Sequence, residues 1–268
     1  MKNYEILCNK TCELVEQTAR FILGEWQKLQ QTNIEVKGLH NFVTYVDKQS
    51  ELQLVEGLKK LLPESVFITE EETIAQQKGE FTWIIDPLDG TTNYIHHLSP
   101  VAISVALYHQ QEPVIGVIYE IGQHECFYTW KGGKAYMNNR EIHVSTAASL
   151  KDSLVATGFP YYDYSRIQSM LQTLDYLFKN SHGVRRLGSA ATDLAYVACG
   201  RVDAFYEYSL HAWDVAAGAF LVQQAGGKVS DFKGGNNYLF GKEIMASNAL
   251  LFNEFYDLIR KYFIELVI

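Results

Sequence analysis

The stretch Trp83–Tyr94, WIIDPLDGTTNY, carries the strongest indication of both fold and function in this chain. Its apolar start predicts a buried β-strand that ends at one acid, Asp86, and a second acid, Asp89, follows three residues later. A glycine and two threonines then predict a turn that leads into a helix. In open α/β sheets, ligands bind beyond the carboxyl ends of the strands, so we expect this stretch to border a binding cleft.

The two acids of this stretch indicate a site for a divalent cation. Two carboxylates on one short turn repel each other, and burying both without a counter-charge is costly. Carboxylate oxygens suit Mg²⁺, Mn²⁺ or Ca²⁺, whereas zinc prefers histidine and cysteine. If a helix starts at Gly90, Thr91 and Thr92, their backbone N–H groups are suited to bind a phosphate. The alternative is an ordinary helix start whose acids stabilise the helix dipole.

The composition fits a globular protein and argues against several other classes. At 268 residues the chain is long enough for one large domain or two small ones. The net charge of −8 argues against non-specific binding to nucleic acid or to an anionic membrane. No apolar run approaches the roughly 20 residues of a membrane-spanning helix, and acids interrupt the apolar pattern of the N-terminal segment, unlike in a signal peptide. With four cysteines and no CxxC pair, we expect reduced thiols and a cytoplasmic location.

Helix and strand patterns alternate along the chain and predict an α/β fold. Apolar positions at helical spacing predict helices over about residues 1–30, 48–62, 165–180, 189–200, 214–227 and 248–264. Runs rich in valine, isoleucine and aromatic residues predict strands at 65–69, 80–86, 101–110, 113–121, 153–159 and 202–208, with hairpins over 124–145. Because no linker or repeat divides the chain, we predict a single domain over 1–268. Its two packed halves, 1–150 and 151–268, would each have a sheet.

Further acids stand at predicted strand ends and helix starts. Glu70 follows the strand before the acid pair, and Asp47 precedes the second helix. Asp214 begins a later helix, where we expect it to be the N-cap. Each acid taken singly could be a helix cap or a solvated side chain. Strand ends and helix starts converge on one cleft in an α/β fold, so we expect these three acids to join Asp86 and Asp89 there.

Six segments between residues 37 and 230 resemble the inositol monophosphatase family. In chain order they are FVTYVDKQSE, FITEEE, WIIDPLDGTTNYIH, KGGKAYMNNREIHVS, GSAATDLAYVACGRVDAFYE and HAWDVAAGAFLVQQAGG. That family belongs to the metal-dependent, lithium-sensitive phosphatases. The resemblance implies the layered αβαβα sandwich that the family shares with fructose-1,6-bisphosphatase, and it implies a homodimer.

The resemblance also implies a metal site that holds two or three Mg²⁺ ions, with Mn²⁺ as a substitute and Li⁺ as an inhibitor. Glu70, Asp86 and the backbone carbonyl of Leu88 would hold the first ion. Asp86, Asp89 and Asp214 would hold the second ion, with Asp86 as the bridge between the two.

A third ion is left open by the sequence. Glu70 would help to hold it through water, and in relatives the loop before Asp47 contributes to it. Here that loop, GLHNFVTYV at residues 38–46, is one residue shorter than expected and has no proline. Two ions and three ions are therefore both compatible with the sequence.

The resemblance further implies which residues act on the substrate. Gly90 and Thr91 would contact the phosphate, Thr91 with Asp47 would orient the attacking water, and Glu70 would assist catalysis. The residues expected to contact the substrate are Asp89, Gly90, Thr91, Gly188, Ser189, Ala190, Glu207 and Asp214. The tyrosine-rich segment FPYYDYSR, residues 159–166, matches no motif and would be either a wall of the pocket or a surface loop.

Hydrolysis of a small phosphate monoester is the favoured function, with inositol 1-phosphate as the substrate. Glu207 could accept hydrogen bonds from ring hydroxyls, and the residues after DGT favour the inositol type. The alternative substrates are fructose 1,6-bisphosphate, another sugar phosphate and adenosine 3′,5′-bisphosphate. A haloacid dehalogenase-type phosphatase is disfavoured, because Asp86 and Asp89 lie three residues apart instead of two. A protein that only binds a partner would not need the full set of acids.

Overall fold

The computed structural model describes residues 3–28, 34–38, 41–76 and 79–265. The helices in these ranges are α1 (Tyr4–Trp26), α2 (Tyr45–Leu61), α3 (Thr91–Ile95), α4 (Ile167–Asn180), α5 (Ala190–Ala198), α6 (Ala212–Gln224) and α7 (Phe252–Arg260). The strands are β1 (Ile34–Gly38), β2 (Asn41–Thr44), β3 (Val66–Thr69), β4 (Phe81–Asp89), β5 (Ala102–His109), β6 (Glu112–Glu120), β7 (Glu125–Trp130), β8 (Ala135–Met137), β9 (Arg140–Glu141), β10 (Leu154–Thr157), β11 (Gly183–Arg185), β12 (Ala204–Tyr208), β13 (Gly227–Ser230) and β14 (Glu243–Asn248).

The first half of the chain forms a seven-stranded sheet in the order β3-β4-β5-β6-β7-β8-β9. β3 and β4 are parallel, and the other neighbouring pairs are antiparallel. The first eight residues of β4 are all buried. A strand that is covered on both faces has apolar residues at successive positions. This burial explains the apolar run at the start of WIIDPLDGTTNY. The predicted hairpins are confirmed, and Asn138 and Asn139 both have positive φ at the second turn.

The second half forms a five-stranded sheet in the order β11-β10-β12-β14-β13. β10 is parallel to both β11 and β12, whereas β14 is antiparallel to β12 and β13. Because β10, β11 and β12 run in the same direction, the residues at their carboxyl ends lie at one edge of the sheet. The prediction that each half has its own sheet is confirmed.

Helices and sheets alternate in five layers. Trp83 and Ile85 of β4 pack with α1 and α2, which cover the outer face of the first sheet. Ile84 points to the opposite face, because neighbouring strand residues alternate, and it packs in the core that holds Leu194 of α5 and much of α6 between the two sheets. Tyr206 of β12 lies in a third core, with α4 and α7 on the outer face of the second sheet. The predicted αβαβα sandwich is confirmed.

Several boundaries differ from those predicted. β4 continues past Asp86 to Asp89. α6 begins at Ala212 with His211 as its N-cap, so the prediction that Asp214 is the N-cap is wrong. α7 begins at Phe252, later than the predicted start near residue 248, and the short β1–β2 ribbon was not predicted. The assignment of 1–268 to a single domain stays a prediction. No helix in the described ranges has both the length and the apolar character to span a bilayer.

Candidate active site

The carboxyl end of β4 is irregular and places Asp86 and Asp89 in one cleft. The register between β4 and β5 is irregular between Asp86 and Asp89. The Oδ1 atom of Asp86 accepts a hydrogen bond from the Leu88 N–H at 2.9 Å, which holds this turn. Gly90 has a φ of +90°, and a Cβ there would lie 2.9 Å from the carbonyl oxygen of Pro100. Glycine is therefore required by both backbone conformation and space.

Thr91 begins α3 and links this turn to the first layer of helices. Its Oγ1 donates to the Leu88 carbonyl at 3.1 Å and contacts Asp47 Oδ1 at 3.4 Å. Asp47 lies in the first turn of α2 and is buried. The predicted partnership between Thr91 and Asp47 is thus present as a side-chain contact.

Glu70 is placed by the end of β3 and by a buried acid that the sequence analysis missed. Since β3 is parallel to β4, Glu70 lies at the same sheet edge as Asp86. Glu51 of α2 is fully buried, and its carboxylate accepts hydrogen bonds from the Glu71 N–H at 2.7 Å and from the Thr73 N–H and hydroxyl at 2.8 and 2.6 Å. These three bonds fix the chain immediately after Glu70.

Asp214 reaches the cleft from the first turn of α6. Ser104 is the register partner of Asp86 on β5, and its hydroxyl donates to the Trp213 carbonyl at 3.1 Å. This bond holds the start of α6 beside β4. The Oδ2 atom of Asp214 accepts the N–H of His211 at 2.6 Å, the contact that an acid at the third helical position makes in a capping box.

Asp89 connects the two halves of the chain. Its Oδ2 atom accepts hydrogen bonds from the Ser189 hydroxyl at 2.7 Å and from the Ala191 N–H at 2.8 Å. Ser189 is the N-cap of α5, as predicted, and its Oγ accepts the Thr192 N–H at 3.2 Å. The Asp89 carboxylate therefore lies at the positive end of the α5 dipole.

Burial raises the pKa of all four acids, and repulsion from neighbouring acids adds to this for Glu70, Asp86 and Asp214. Burial raises the pKa of Glu70 well above its ordinary value, and the charge of Asp214 adds to this. Burial also raises the pKa of Asp86, with further contributions from Glu70 and Asp89. Burial raises the pKa of Asp89 to about 6, although the hydrogen bond from Ser189 lowers it. Burial and then the charge of Asp89 raise the pKa of Asp214 to about 7.

A cleft of about 350 Å³ brings the predicted site residues together, a volume typical of small-molecule sites. The predicted residues that line it are Glu70, Asp86, Leu88, Asp89, Gly90, Thr91, Gly188, Ser189, Ala190, Glu207 and Asp214. Asp47 is not part of this lining and reaches the cleft through Thr91.

The sequence as a whole decides the family of this protein. The profile of the inositol monophosphatase family matches residues 4–263. The chain belongs to the inositol monophosphatase family. This assignment and the fold together place it among the phosphatases.

Similar proteins carry the names of both a phosphatase and a Nus factor. This family member is 37% identical over 246 residues to an inositol-1-monophosphatase of Mesorhizobium japonicum, covering 91% of this chain and 92% of that one. It is 41% identical over 213 residues to the Nus factor SuhB of Escherichia coli K12, covering 79% and 80%. Its fold matches the extragenic suppressor protein suhB of Bartonella henselae with a TM-score of 0.88 at 36% identity, over 94% and 98% of the two chains.

The donor set of this inositol monophosphatase family member fits divalent cations. Its proposed ligands are carboxylate and carbonyl oxygens, which suit Mg²⁺ and similar ions. The buried, mutually repelling carboxylates would gain from such a counter-charge. Among the described residues, no three Asp, Glu, His or Cys side chains form a closed ligand shell around one point, so the ligand roles stay predictions. Residues 39–40 of the loop considered for a third ion lie outside the described residues.

Several residues that line the same cleft were given no role in the sequence analysis. Asp193 of α5 is buried, and burial followed by the charge of Glu207 raises its pKa; an acid inside an apolar helix was the available signal. Gly158 lies against the Glu207 carboxyl, and a Cβ at this glycine would overlap the carboxyl atoms. Phe159–Tyr162, the first part of FPYYDYSR, form a wall of the cleft. Arg186, which no motif indicated, is the one arginine or lysine among the described lining residues.

Proposed function

We propose that this protein is a Mg²⁺-dependent phosphatase that hydrolyses inositol 1-phosphate to inositol and phosphate. One observation carries the proposal: Glu70, Asp86, Asp89 and Asp214 line one cleft with raised pKa values, although they come from three separate stretches of chain. A phosphate ester is itself an anion, and these acids would repel it in the absence of bound cations.

The chain's own residues would divide the work as follows. Glu70, Asp86, Asp89, Asp214 and the Leu88 carbonyl would hold the ions. When bound, a pair of Mg²⁺ ions would offset the charge of the phosphate and favour ionisation of the attacking water. Thr91 and Asp47, which already contact each other at 3.4 Å, would orient that water. The ester P–O bond would break as the new P–O bond forms, and the alcohol oxygen would take up a proton.

The alcohol part of the substrate would lie on the side of the second sheet. Glu207 is buried at the end of β12 and would accept hydrogen bonds from ring hydroxyls. Gly188 has a φ of +93°, and a Cβ there would lie 2.5 Å from Arg186 Nη1, so the backbone at this position must stay bare. We infer that the absence of a side chain at Gly188 leaves room for the substrate ring beside Ser189 and Ala190.

Other properties of the family are part of the same proposal. They are substitution by Mn²⁺, inhibition by Li⁺ and a homodimer, and they rest on the resemblance alone. The cytoplasmic location rests on the four cysteines without a CxxC pair. A partner-binding role is the second candidate function, because a relative is named a Nus factor. The gathered acids favour catalysis, since binding of a partner surface would not require them inside a cleft.

The test of the proposal is a panel of phosphate esters assayed with purified protein, with and without Mg²⁺. We expect release of phosphate from inositol 1-phosphate in Mg²⁺ and none in a chelator. Preference for adenosine 3′,5′-bisphosphate by about tenfold or more in kcat/KM would show that the substrate assignment is wrong. Absence of Mg²⁺-dependent activity on every ester would favour the partner-binding role.

Gly158→Ala is expected to weaken recognition of the alcohol part. The new Cβ would overlap the Glu207 carboxyl, so this side chain must leave its position. Loss of a hydrogen bond to a ring hydroxyl should lower kcat/KM for inositol 1-phosphate about tenfold. p-Nitrophenyl phosphate has no ring hydroxyls, so its kcat/KM should fall less. Gly24→Ala is the matched control, since a Cβ at Gly24 of α1 meets no atom within 4 Å.

Li⁺ is expected to inhibit hydrolysis in a manner that added substrate does not overcome. A small monovalent ion could occupy one of the two cation positions after hydrolysis and hold phosphate in the cleft. The measurement is the initial rate over a matrix of Li⁺ and substrate concentrations at fixed Mg²⁺. Full activity at Li⁺ concentrations that stop a sensitive family member in the same assay would contradict this expectation.

A further inference from the structure

Asn93 lies behind the cleft and connects the two halves of the chain through one side-chain amide. It is the third residue of α3 and is buried. Its Nδ2 donates to the Pro100 carbonyl at 2.9 Å, in the first half, and to the Leu187 carbonyl at 2.8 Å, in the second half. An amide NH₂ group has two hydrogens, so both are used, one on each half.

The bond to Pro100 ends on a segment that is fixed within the first half. The buried carboxylate of Glu120 accepts hydrogen bonds from the Ser99 hydroxyl at 2.7 Å and from the Val101 N–H at 3.3 Å, on either side of Pro100. A Cβ at Gly90 would lie 2.9 Å from the Pro100 carbonyl oxygen. This carbonyl is therefore a fixed point beside the turn that would contact the phosphate.

The bond to Leu187 ends directly before the backbone that would contact the alcohol part of the substrate. Leu187 precedes Gly188 and Ser189, which line the cleft. A Cβ at Gly188 would lie 3.0 Å from the Asn93 amide nitrogen, and a Cβ at Gly90 would lie 3.2 Å from the Gly188 carbonyl oxygen. The distance between the two sides of the cleft thus depends on the packing around Asn93.

Asp89 also connects the two halves, but its carboxylate has a second task. It accepts hydrogen bonds from the Ser189 hydroxyl and the Ala191 N–H, and it is a proposed ligand of the second cation. Asn93 is not part of the cleft lining and is not a proposed ligand. Its amide is uncharged, so its two bonds can persist whether or not a cation is bound.

A buried amide could instead serve stability alone, and Asn248 gives the comparison within this chain. Asn248 is buried, and its Nδ2 donates to the Ser145 hydroxyl at 3.0 Å and to the Ala147 carbonyl at 2.9 Å. It ends β14 beside the start of β12, whereas Glu207 of the cleft is near the other end of β12. In contrast, both acceptors of Asn93 adjoin residues that line the cleft.

We propose that Asn93 is a positioning residue that fixes the alcohol side of the cleft relative to the phosphate side. The proposal rests on the proposed function, in which Gly90 and Thr91 would contact the phosphate, and Gly188 and Ser189 the alcohol part. Misplacement of a reacting group by about 1 Å can lower a rate about 100-fold. Loss of the two bonds should therefore matter most for a substrate that contacts both sides.

The test compares Asn93→Asp and Asn93→Leu in hydrolysis of inositol 1-phosphate and of p-nitrophenyl phosphate in Mg²⁺. Asp keeps the shape of the side chain and Leu adds no charge, so the two changes share only the loss of both N–H donors. The measured quantity is the ratio of kcat/KM for inositol 1-phosphate to that for p-nitrophenyl phosphate. We expect both variants to lower it about tenfold or more, because p-nitrophenyl phosphate has no ring hydroxyls to be misplaced.

Asn248→Asp and Asn248→Leu are the matched controls, since they make the same changes in another buried asparagine with two donor bonds. They should lower the melting temperature and leave the ratio unchanged. Thermal melts in Mg²⁺ verify that each variant is folded at the assay temperature. A ratio that stays at the wild-type value in either Asn93 variant would overturn the proposal and leave Asn93 with a role in stability alone.

Failure of the proposed function gives a different result from failure of the positioning role. If wild type hydrolyses neither ester in Mg²⁺, the phosphatase proposal fails, and calorimetric titration with inositol 1-phosphate and with inorganic phosphate then tests Asn93. Weaker binding of inositol 1-phosphate to both Asn93 variants, with unchanged binding of inorganic phosphate, would support the positioning role. A parallel loss for both ligands, or no loss, would overturn it.

Discussion

Asp214→Asn is expected to give a folded protein whose kcat is lower by about 100-fold or more. The asparagine side chain can still accept the His211 N–H, which Asp214 Oδ2 accepts at 2.6 Å. Stability in Mg²⁺-free buffer should therefore change by no more than roughly 0.5 kcal/mol from the capping contact. The proposed second Mg²⁺ loses a negatively charged ligand. The measurements are initial rates across a Mg²⁺ titration.

The metal-free melting temperature is expected to respond to pH more strongly in wild type than in Asp214→Asn. The pKa of Asp214 in the folded protein is about 7, raised first by burial and then by Asp89. A carboxyl with a raised pKa favours folding while it is protonated, and that contribution is lost as the pH rises through about 7. Wild type without metal should therefore melt at a lower temperature at pH 8 than at pH 5. The melting temperature of the Asp214→Asn variant should fall less between pH 5 and pH 8.

Asp193→Asn is the matched control for Asp214→Asn. It makes the same carboxyl-to-amide change in a buried acid of the same cleft, but Asp193 is not among the proposed metal ligands. It should leave the Mg²⁺ dependence close to that of wild type. If Asp214→Asn instead keeps wild-type kcat and the same Mg²⁺ dependence, Asp214 does not belong to the site, and the two-metal proposal is wrong.

The residues that sequence reasoning placed correctly are those with a local signal. The apolar run before Asp86 required a strand covered on both faces, and β4 is such a strand. Gly90 fits a position with positive φ. Ser189 before an apolar helical run was predicted as an N-cap and is one. In each case neighbouring residues determine the conformation, so the signal lies within a few positions.

The errors and omissions share a different cause, because they depend on contacts between distant segments. Asp214 was expected to cap α6, but Ser104 of β5 holds the Trp213 carbonyl, and the helix starts at Ala212 with His211 as its cap. Arg186 follows β11, and only the parallel pairing with β10 brings it beside Tyr161. No local pattern in the sequence specifies either contact.

Glu51 has the same kind of long-range role, and Glu51→Gln is expected to weaken Mg²⁺ binding. Its two carboxylate oxygens accept three hydrogen bonds, from the Glu71 N–H and from the N–H and hydroxyl of Thr73. A glutamine places an NH₂ group where one oxygen was. In either orientation of the amide, at least one backbone N–H then faces a donor, so the segment after Glu70 must shift.

The expected effect of Glu51→Gln is an apparent Mg²⁺ affinity about 10- to 100-fold lower, since residues behind metal ligands typically contribute that much. The loss of buried hydrogen bonds to a charged acceptor should also lower the free energy of unfolding by about 1–3 kcal/mol. Mg²⁺ activation curves and calorimetric Mg²⁺ titration measure the first effect, and denaturant unfolding measures the second. Glu56→Gln is the control, because Glu56 is exposed on the same helix and the change in charge is identical. Lower stability with an unchanged Mg²⁺ activation curve would show that Glu51 supports the fold alone and does not position Glu70.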